Sequence, residues 1–344
     1  MTFNITVEPS QRQFQADADE SLLLAAIRQG VGLPYGCKDG ACGSCKCRLV
    51  SGEVHMEPHQ EKALSASEAE QGLILTCRAQ PRSDIVLESK QVTSEDAFPI
   101  RKMPARVAKL ERLTHDVMRM VLQLPAAEAF NYHAGQYVEF ILRDGDRRSY
   151  SMGNAAHTQA ETGGIELHLR HMPGGKFTDA VFNDLKEKAI LRLEGPFGSF
   201  YLREDSERPL IFLASGTGFA PIKAILEHMD SQQIQRPARI YWGGRRPQDL
   251  YMHDWLQSHC DSRAHFEYIP VVSDAAPEDG WTGRTGFVHQ AVLDDHADLS
   301  AFDVYACGAP IVIESARRDF VNQGLDIDRF YADSFTSAAD QASN

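Results

Sequence analysis

A glycine-rich cysteine loop is the feature that most limits what this chain can fold into. Residues 36–48 read GCKDGACGSCKCR, so four cysteines fall within eleven positions. Closely spaced cysteines occur in disulfide knots, zinc sites, thioredoxin-type redox pairs and iron–sulfur clusters. The chain has 344 residues and seven cysteines, an odd number in a protein much longer than a small secreted domain. The sequence therefore favours metal or redox chemistry over a disulfide framework.

The spacing of the cysteines favours an iron–sulfur cluster. Cys37, Cys42 and Cys45 have the C-x4-C-x2-C spacing of plant-type [2Fe–2S] sites, which require a fourth cysteine well downstream. Cys77 is the cysteine available there, and we predict it as the fourth ligand. Zinc normally binds to two well-separated cysteine pairs or to one pair with histidines, whereas here three of the cysteines lie on one loop. A thioredoxin-type redox pair at Cys42 and Cys45 would begin a helix after a strand, and nothing in the sequence indicates one. Cys47 falls in the outgoing strand, and we predict that it is a buried structural thiol.

Changes in the hydrophobic pattern divide the chain into three predicted domains. Residues 1–92 contain the cysteine loop among short strands, and the polar segment 93–104, with two prolines, is predicted to be a linker. Residues 105–205 alternate apolar and polar side chains, which predicts an antiparallel β-barrel. Residues 206–344 contain short apolar runs followed by helical segments, which predicts a parallel-sheet α/β nucleotide-binding domain. Residues 337–344 are predicted to form a disordered tail.

Charge and hydropathy exclude several partners. The net charge is −13, which disfavours nucleic acid, because phosphate backbones attract clustered lysines and arginines. No apolar run approaches the ~20 residues of a membrane-spanning helix, so we expect no membrane insertion. The first residues, MTFNITVEPS, lack the basic and apolar regions of a secretory signal. We therefore expect a cytoplasmic protein.

The cysteine loop resembles a plant-type ferredoxin domain. The matching residues are LPYGCKDGACGSC at 33–45 and Leu-Thr-Cys at 75–77. The resemblance implies a β-grasp fold for residues 1–92, with the [2Fe–2S] cluster bound by the four cysteines. Gly36, Gly40 and Gly43 are expected to supply positive φ angles and close backbone approach in this loop.

Arg148-Ser149-Tyr150-Ser151 resembles the R-x-Y-[ST] signature of the ferredoxin–NADP reductase family. The resemblance implies that Arg148 binds the flavin pyrophosphate, that Tyr150 packs on the flavin, and that Ser151 donates a hydrogen bond toward its N5 edge. A helix predicted over 177–188 would offer N–H groups to phosphate at its start. The residues expected there are Gly174, Gly175, Lys176, Phe177 and Thr178. The turn at 194–200, EGPFGSF, and the ferredoxin-first domain order imply FAD as the flavin.

Two glycine loops resemble the nicotinamide-binding motifs of the same family. The first, GTGFAP at 216–221, follows an apolar strand and opens a helix, so its backbone can approach a pyrophosphate. The second, CGAP at 307–310, implies a cysteine beside the nicotinamide. The residues predicted to bind NADH or NADPH are Gly216, Thr217, Gly218, Pro221, Arg245, Cys307, Gly308 and Pro310. Arg245 and Arg246 permit NADPH without excluding NADH, and we favour NADH.

The final aromatic segment, FYADSF at 330–335, resembles the family's terminal segment that approaches the flavin. It implies a catalytic role for Phe335, together with Ser151 and Cys307.

The chain as a whole resembles the ferredoxin–FAD–NAD reductase components of oxygenase systems, such as those of phenol hydroxylase and benzoate dioxygenase. It also resembles the CDP-6-deoxy-Δ3,4-glucoseen reductases. NAD(P)H gives two electrons together and a [2Fe–2S] cluster accepts one, so the resemblance implies that the flavin stands between them. The primary hypothesis is an electron-transfer reductase whose acceptor is a partner protein, an oxygenase component in preference to a deoxysugar dehydratase. A self-sufficient flavin or small-molecule reductase and a non-enzymatic redox-responsive binding protein are the alternatives.

Overall fold

The computed structural model describes residues 1–92, 98–126 and 130–336. The chain divides into two compact units. The first comprises residues 1–99 with contributions from 198–200 and from 332 onward, and the second comprises residues 100–197 and 201–331. In the described part of the chain, none of the helices combines the length and the apolar character needed to cross a membrane.

The first unit is built on a five-stranded mixed sheet of β-grasp type. Its strand order is β2-β1-β7-β3-β5, with β1 and β7 parallel and the other neighbours antiparallel, beside a small β4-β6 sheet. Helix α1 buries Leu22, Leu23, Ala25 and Ala26, and its N-cap Ser21 accepts a hydrogen bond from the Leu24 N–H. The elements are β1 Thr2–Glu8, β2 Arg12–Asp17, α1 Leu22–Arg28, β3 Lys46–Ser51, β4 Val54–Met56, α2 Ala66–Glu70, β5 Leu73–Leu75, β6 Ala79–Pro81 and β7 Ile85–Glu88.

The second unit begins with a six-stranded antiparallel barrel. The strand order is β11-β10-β13-β8-β9-β12, and an antiparallel bridge between Met152 and Leu167 joins the two ends of the sheet. Alternate side chains along the strands fill one core, in which Val107, Met120 and Val138 are fully buried. The elements are β8 Arg101–Arg112, β9 Val117–Gln123, β10 Tyr137–Ile141, β11 Arg147–Ser151, α3 Gln159–Thr162, β12 Ile165–Arg170, α4 Lys176–Asn183 and β13 Ile190–Phe197.

A six-stranded sheet flanked by helices completes the second unit. Its order is β17-β16-β15-β14-β18-β19, and the first five of these strands run parallel to their neighbours. The chain proceeds outward from β14 to β17 and then returns to β18 on the other side of β14. Ligands of such sheets bind at the carboxyl ends of the strands where the order reverses. The elements are β14 Leu210–Ser215, α5 Phe219–Ser231, β15 Ala238–Gly244, α6 His253–Asp261, β16 Phe266–Val272, β17 Arg284–Thr285, α7 Val288–Asp295, β18 Asp303–Gly308, α8 Pro310–Asn322 and β19 Phe330–Ser334.

The three predicted architectures are confirmed, whereas two local predictions need correction. The helix predicted over 177–188 is the shorter α4, which ends at Asn183. The predicted linker 93–104 is wrong at residues 101–104, which begin β8 and pair with β13. Residues 93–97 and the predicted tail 337–344 lie outside the described residues. The domain boundaries at 92, 105 and 206 stay predictions.

Candidate functional sites

The fold brings the four predicted cluster cysteines together. The Cys37 N–H donates to Cys42 Sγ at 3.4 Å, and the neighbouring Cys37 thiol lowers the pKa of Cys42 to about 6. Cys45 Sγ lies 3.2 Å from Cys77 Sγ, and both residues are buried. Cys77 stands between β5 and β6, where the Thr76 N–H and hydroxyl both donate to the Cys45 carbonyl at 3.2 Å. The fold thus brings a cysteine 32 residues downstream against the loop.

This arrangement fits a two-iron cluster better than a single metal ion. Within the described ranges, no three His, Cys, Asp or Glu side chains converge on one metal position. A [2Fe–2S] cluster has four cysteine ligands for two irons, so two thiols at each iron are what it requires. The Cys37 and Ser44 N–H groups also point at Cys42 Sγ, at 3.4 and 3.5 Å, as donors to a thiolate would. The donor set therefore fits the cluster predicted from the sequence.

Two of the three loop glycines have the predicted conformation. Gly40 and Gly43 have φ angles of 82° and 74°, while Gly36 has no positive φ. A Cβ at Gly36 would lie 3.4 Å from Cys42 Sγ, which is an ordinary van der Waals contact, so the predicted need for glycine is not found at this position. Lys38 also has a positive φ, of 67°, which the sequence reasoning missed. Cys47 is buried in β3, as predicted.

The structure brings the two halves of the predicted flavin site together. Arg148 on β11 and Lys176 at the start of α4 both contact Asp146, at 3.3 and 3.0 Å. The Tyr150 ring lies 5.5 Å from the Phe177 ring, centroid to centroid. The strand motif that ends at Ser151 and the helix start at Lys176 have 24 residues between them in the sequence, and the fold places them side by side. A pair of cations beside aromatic rings can bind an anionic, ring-containing cofactor.

The start of α4 is shaped for close approach. Gly174 has a φ of 82°, and Gly175 is the N-cap residue without a side-chain cap. A Cβ at Gly175 would lie 2.8 Å from the Met172 carbonyl oxygen. The Thr178 hydroxyl donates to that same carbonyl at 3.0 Å, so Thr178 holds the turn in shape. Ser151, the last residue of β11, is buried.

The two predicted nicotinamide loops interlock at the carboxyl ends of β14 and β18. A Cβ at Gly218 would overlap the Cys307 carbonyl group, and one at Gly308 would overlap Ser215. The Ser215 hydroxyl accepts a hydrogen bond from the Ala309 N–H at 2.8 Å. Cys307 is fully buried. Glycine is therefore required at both loops, because each backbone occupies the space that a side chain of the other would need.

The residues around this junction occupy the positions predicted for them. Gly216, Thr217 and Gly218 form a short 3₁₀ turn between β14 and α5, and Pro221 lies in the first turn of α5. The Trp242 indole donates to the Gly216 carbonyl at 3.0 Å and stacks on Phe219. Pro310 is the first residue of α8. The junction is thus built from the switch point of the sheet, as the motif spacing implied.

The two arginines after β15 differ in their surroundings. Arg246 contacts Asp279 at 2.9 Å and Glu278 at 3.5 Å. Arg245 is 80% exposed at its side chain and contacts Asp274 at 3.4 Å. Its backbone N–H donates to Asp249. Three carboxylates thus surround the two guanidinium groups that a cofactor phosphate would have to meet.

Phe335 directly follows β19 and is half-buried. Its catalytic role stays a prediction.

A buried ion network near the junction was not predicted. Lys223 on α5 is 4% exposed, and Glu166 on β12 is 1% exposed. The Lys223 ammonium lies 2.6 Å from Glu227 and 3.3 Å from Glu166, while Arg119 contacts Glu166 at 2.6 Å. Burial opposes ionisation of Glu166, but its hydrogen bond with His168 and the neighbouring cations hold its pKa well below the usual range. The only signal in the sequence is a lysine within the otherwise apolar start of α5.

His168 extends this network toward Tyr251. Its Nε2 lies 2.8 Å from Glu166 and its Nδ1 2.8 Å from the Tyr251 hydroxyl. Burial lowers the pKa of His168, so we describe it as neutral, with Nε2 donating to Glu166 and Nδ1 accepting from Tyr251. The histidine spacing in the sequence gave no indication of this role.

Arg170 is a second residue that the sequence motifs did not indicate. Its Nη1 lies 3.1 Å from the position of a Cβ at Gly216, and its Nε donates to Asp116 at 2.8 Å. A cation from the barrel therefore stands at the glycine turn, where an anionic cofactor group would be attracted.

Three family models match the chain in sequence order. They describe a 2Fe-2S iron-sulfur cluster binding domain over residues 5–82, an oxidoreductase FAD-binding domain over 104–201, and an oxidoreductase NAD-binding domain over 212–318. The three matches contain the cysteine loop, the β11–α4 site and the two interlocked glycine loops.

Proteins of similar sequence match over nearly the whole chain. CDP-6-deoxy-L-threo-D-glycero-4-hexulose-3-dehydrase reductase of Yersinia pestis is 40% identical over 338 residues, 97% of this chain and 99% of that protein. Terephthalate 1,2-dioxygenase reductase component 1 of Comamonas sp. is 34% identical over 340 residues, 98% of each chain. Among solved structures, the Amycolatopsis cytochrome P450 reductase GcoB has a TM-score of 0.77 and 31% identity, covering 98% of this chain and 99% of that one.

Proposed function

Because this chain belongs to the family of iron–sulfur flavoprotein reductase components, which take electrons from NAD(P)H through FAD and a [2Fe–2S] cluster, we propose how its residues serve that role. The flavin supplies the conversion between the two-electron donor and the one-electron cluster. The single observation that carries the assignment is that Cys77 Sγ lies against Cys45 Sγ while the Cys37 N–H donates to Cys42 Sγ, in a chain that also has the interlocked nicotinamide loops.

The role of each site follows from its chemistry. The four cysteines, Cys37, Cys42, Cys45 and Cys77, would hold the cluster as thiolates, and the cluster would carry single electrons. The remaining groups orient the organic cofactors. Arg148 and Lys176, which both contact Asp146, would bind the FAD pyrophosphate, and Tyr150 would pack on the isoalloxazine.

The nicotinamide cofactor lies at the junction of the two glycine loops. The backbone of Gly216–Gly218 approaches its pyrophosphate, and Cys307 lies beside its nicotinamide. Ser151 orients the flavin edge.

The cofactor preferred is NADH. Asp274, Glu278 and Asp279 neutralise the arginines that would otherwise attract a 2′-phosphate. We expect kcat/KM for NADH to exceed that for NADPH by at least tenfold. Asp274→Ser should raise kcat/KM for NADPH and leave that for NADH unchanged, because Arg245 then loses its carboxylate partner. Equal use of both cofactors by the unmodified protein would contradict this assignment.

The electron acceptor is a partner protein, and we favour a sugar dehydratase over an oxygenase. The supporting observation is the greater identity to the Yersinia pestis reductase, 40%, than to the Comamonas dioxygenase reductase, 34%. This reverses the preference drawn from the sequence motifs. NADH-driven turnover should be faster with a purified 4-hexulose-3-dehydrase partner than with a dioxygenase terminal component, and the opposite order would refute the choice. We propose the cytoplasm as the compartment, because a chain whose cysteines serve as thiolate ligands fits a reducing environment.

Two cysteine variants test the cluster assignment. Cys42→Ser should lose cluster absorbance and NADH-dependent cytochrome c reduction, while keeping ferricyanide reduction, because the flavin can still accept and release electrons. Cys47→Ser is the matched control, since Cys47 is buried in β3 only two residues from a ligand. Iron and sulfide content should be unchanged in this control. A cluster that survives Cys42→Ser, or is lost in Cys47→Ser, would show that the ligand set is wrong.

A further inference from the structure

We propose that Lys223 and Glu227 are positioning residues that fix the segment after the flavin strand β11 against the nicotinamide helix α5. This inference rests on the proposed cofactor sites. It assigns a role to the buried ion network, which the cofactor motifs do not include. All the residues concerned belong to the second compact unit.

The contacts of Lys223 connect the two halves of that unit. Its ammonium donates to the Gly153 carbonyl at 2.9 Å, and Gly153 lies two residues after Ser151, the end of β11. Lys223 itself lies two residues after Pro221 of the nicotinamide motif, in α5. Its remaining contacts are Glu227 at 2.6 Å, Glu166 at 3.3 Å and the face of Trp255 at 5.3 Å from the ring centre. One side chain thus joins residues adjacent to both motifs.

Glu227 makes the second connection. Its Oε2 accepts a hydrogen bond from the Ala155 N–H at 2.9 Å, and its Oε1 contacts the Lys223 ammonium. The backbone between these two anchors includes Asn154, which is fully buried. Because Lys223 binds a carbonyl and Glu227 binds an N–H two residues further on, the pair defines both the position and the direction of this segment. The barrel also holds this segment, since the Gly153 N–H donates to the Glu166 carbonyl at 2.7 Å and the Tyr132 hydroxyl donates to the Asn154 carbonyl at 2.9 Å. The Lys223 and Glu227 contacts are the ones that tie it to α5.

The composition of the network supports positioning over simple stabilisation. Two cations, Lys223 and Arg119, face the carboxylates of Glu166 and Glu227, and the more exposed Glu111 also contacts Arg119 at 3.1 Å. Burying such groups generally costs about as much free energy as their attraction returns, and an apolar replacement is often no less stable. What the ionic arrangement adds is a defined geometry of directed hydrogen bonds. Here that geometry sets the spacing between the flavin strand and the glycine turn at Gly216–Gly218.

The test combines hydrogen exchange with rapid kinetics on the cofactor-loaded protein. In Lys223→Met and Glu227→Ala, exchange protection of the Ala155 amide should fall about tenfold, as expected for a hydrogen bond worth roughly 1 kcal/mol. The rate of flavin reduction by NADH, followed at the flavin absorbance band, should fall about ten- to a hundredfold, since misplacement by 1 Å costs up to about 10². FAD affinity should change by less than about twofold.

Two further variants separate positioning from folding. Glu227→Gln keeps an oxygen that can accept from the Ala155 N–H, so it should retain most of the protection and rate. Arg318→Met is the control, because Arg318 is an exposed cation of α8 that pairs with Asp319 at 2.7 Å and makes no contact with the network. It should behave like the unmodified protein. If Lys223→Met does not fold, Glu227→Ala carries the test alone, since its side chain is partly exposed.

Unchanged flavin reduction in Glu227→Ala, with reduced thermal stability only, would overturn the proposal and leave the network a purely structural role. Unchanged Ala155 exchange would overturn it as well. Failure of the unmodified protein to accept electrons from NADH would instead refute the cofactor sites on which the proposal rests.

Discussion

Replacing Arg236 by methionine should destabilise the nicotinamide-binding half of the protein by about 3–5 kcal/mol. The Arg236 guanidinium is buried and contacts Asp303, which is 0% exposed, at 2.8 Å. It also donates to the Arg208 carbonyl at 2.6 and 2.9 Å and to the Arg203 carbonyl at 2.9 Å. Methionine removes all four contacts and leaves the Asp303 carboxylate with Arg329, at 3.6 Å, as its remaining cation. Breaking a buried ion pair in this way costs about 3–5 kcal/mol.

The three tryptophans provide an assay for this region. Trp242, Trp255 and Trp281 all lie within residues 206–344, so their fluorescence follows the unfolding of this part of the chain. With a urea slope of about 2 kcal/mol/M, the midpoint should fall by about 2 M. Asp303 begins β18 and Cys307 lies near its other end, so turnover of the folded variant at 25 °C should be unchanged.

Arg318→Met is the matched control. Arg318 on α8 is 68% exposed and pairs with Asp319 at 2.7 Å, so its loss should cost less than about 1 kcal/mol. A urea midpoint for Arg236→Met no lower than that of this control would refute the reasoning. It would mean that the buried pair gains no more from its attraction than it loses by desolvation.

Three further outcomes are expected. Gly218→Ala should raise KM for NADH at least tenfold, because its Cβ would overlap the Cys307 carbonyl and the two backbones must separate; an unchanged KM would contradict the interlocked loops. Burial and the charge of Arg203 lower the pKa of His133 to about 4, so the unfolded chain takes up its proton first as the pH falls below about 6.5. Stability should therefore drop by about 2 kcal/mol between about pH 7.5 and 5, measured by urea unfolding followed by circular dichroism, and His133→Gln should flatten this dependence. Ser65→Ala should remove the capping box with Glu68 and cost about 1 kcal/mol, seen as faster amide exchange in α2 with cluster absorbance unchanged.

Much of the cofactor chemistry was predictable because it depends on short stretches of sequence. The cysteine spacing, the R-x-Y-S strand and the GTG and CGAP loops each lie within about a dozen residues, and their family assignment is confirmed by the whole-chain relatives. The pattern of apolar residues distinguished the barrel from the parallel sheet. Barrel strands bury one face and so alternate apolar and polar residues, whereas strands of the parallel sheet bury both faces and are continuously apolar. Local boundaries were less well predicted, as at α4 and at the start of β8, because pairing partners extend or end an element.

The sequence by itself determined which cofactors this chain is built for, because the ligating side chains and glycines are identified by type and spacing. Only the tertiary structure decided which buried side chains connect the flavin-binding barrel to the nicotinamide-binding helix α5. Glu166, His168 and Lys223 come from three positions that share no motif, and their contacts arise only when β12 and α5 pack together. A buried charge is stable only beside its partners, and partners distant in sequence are brought together by folding alone.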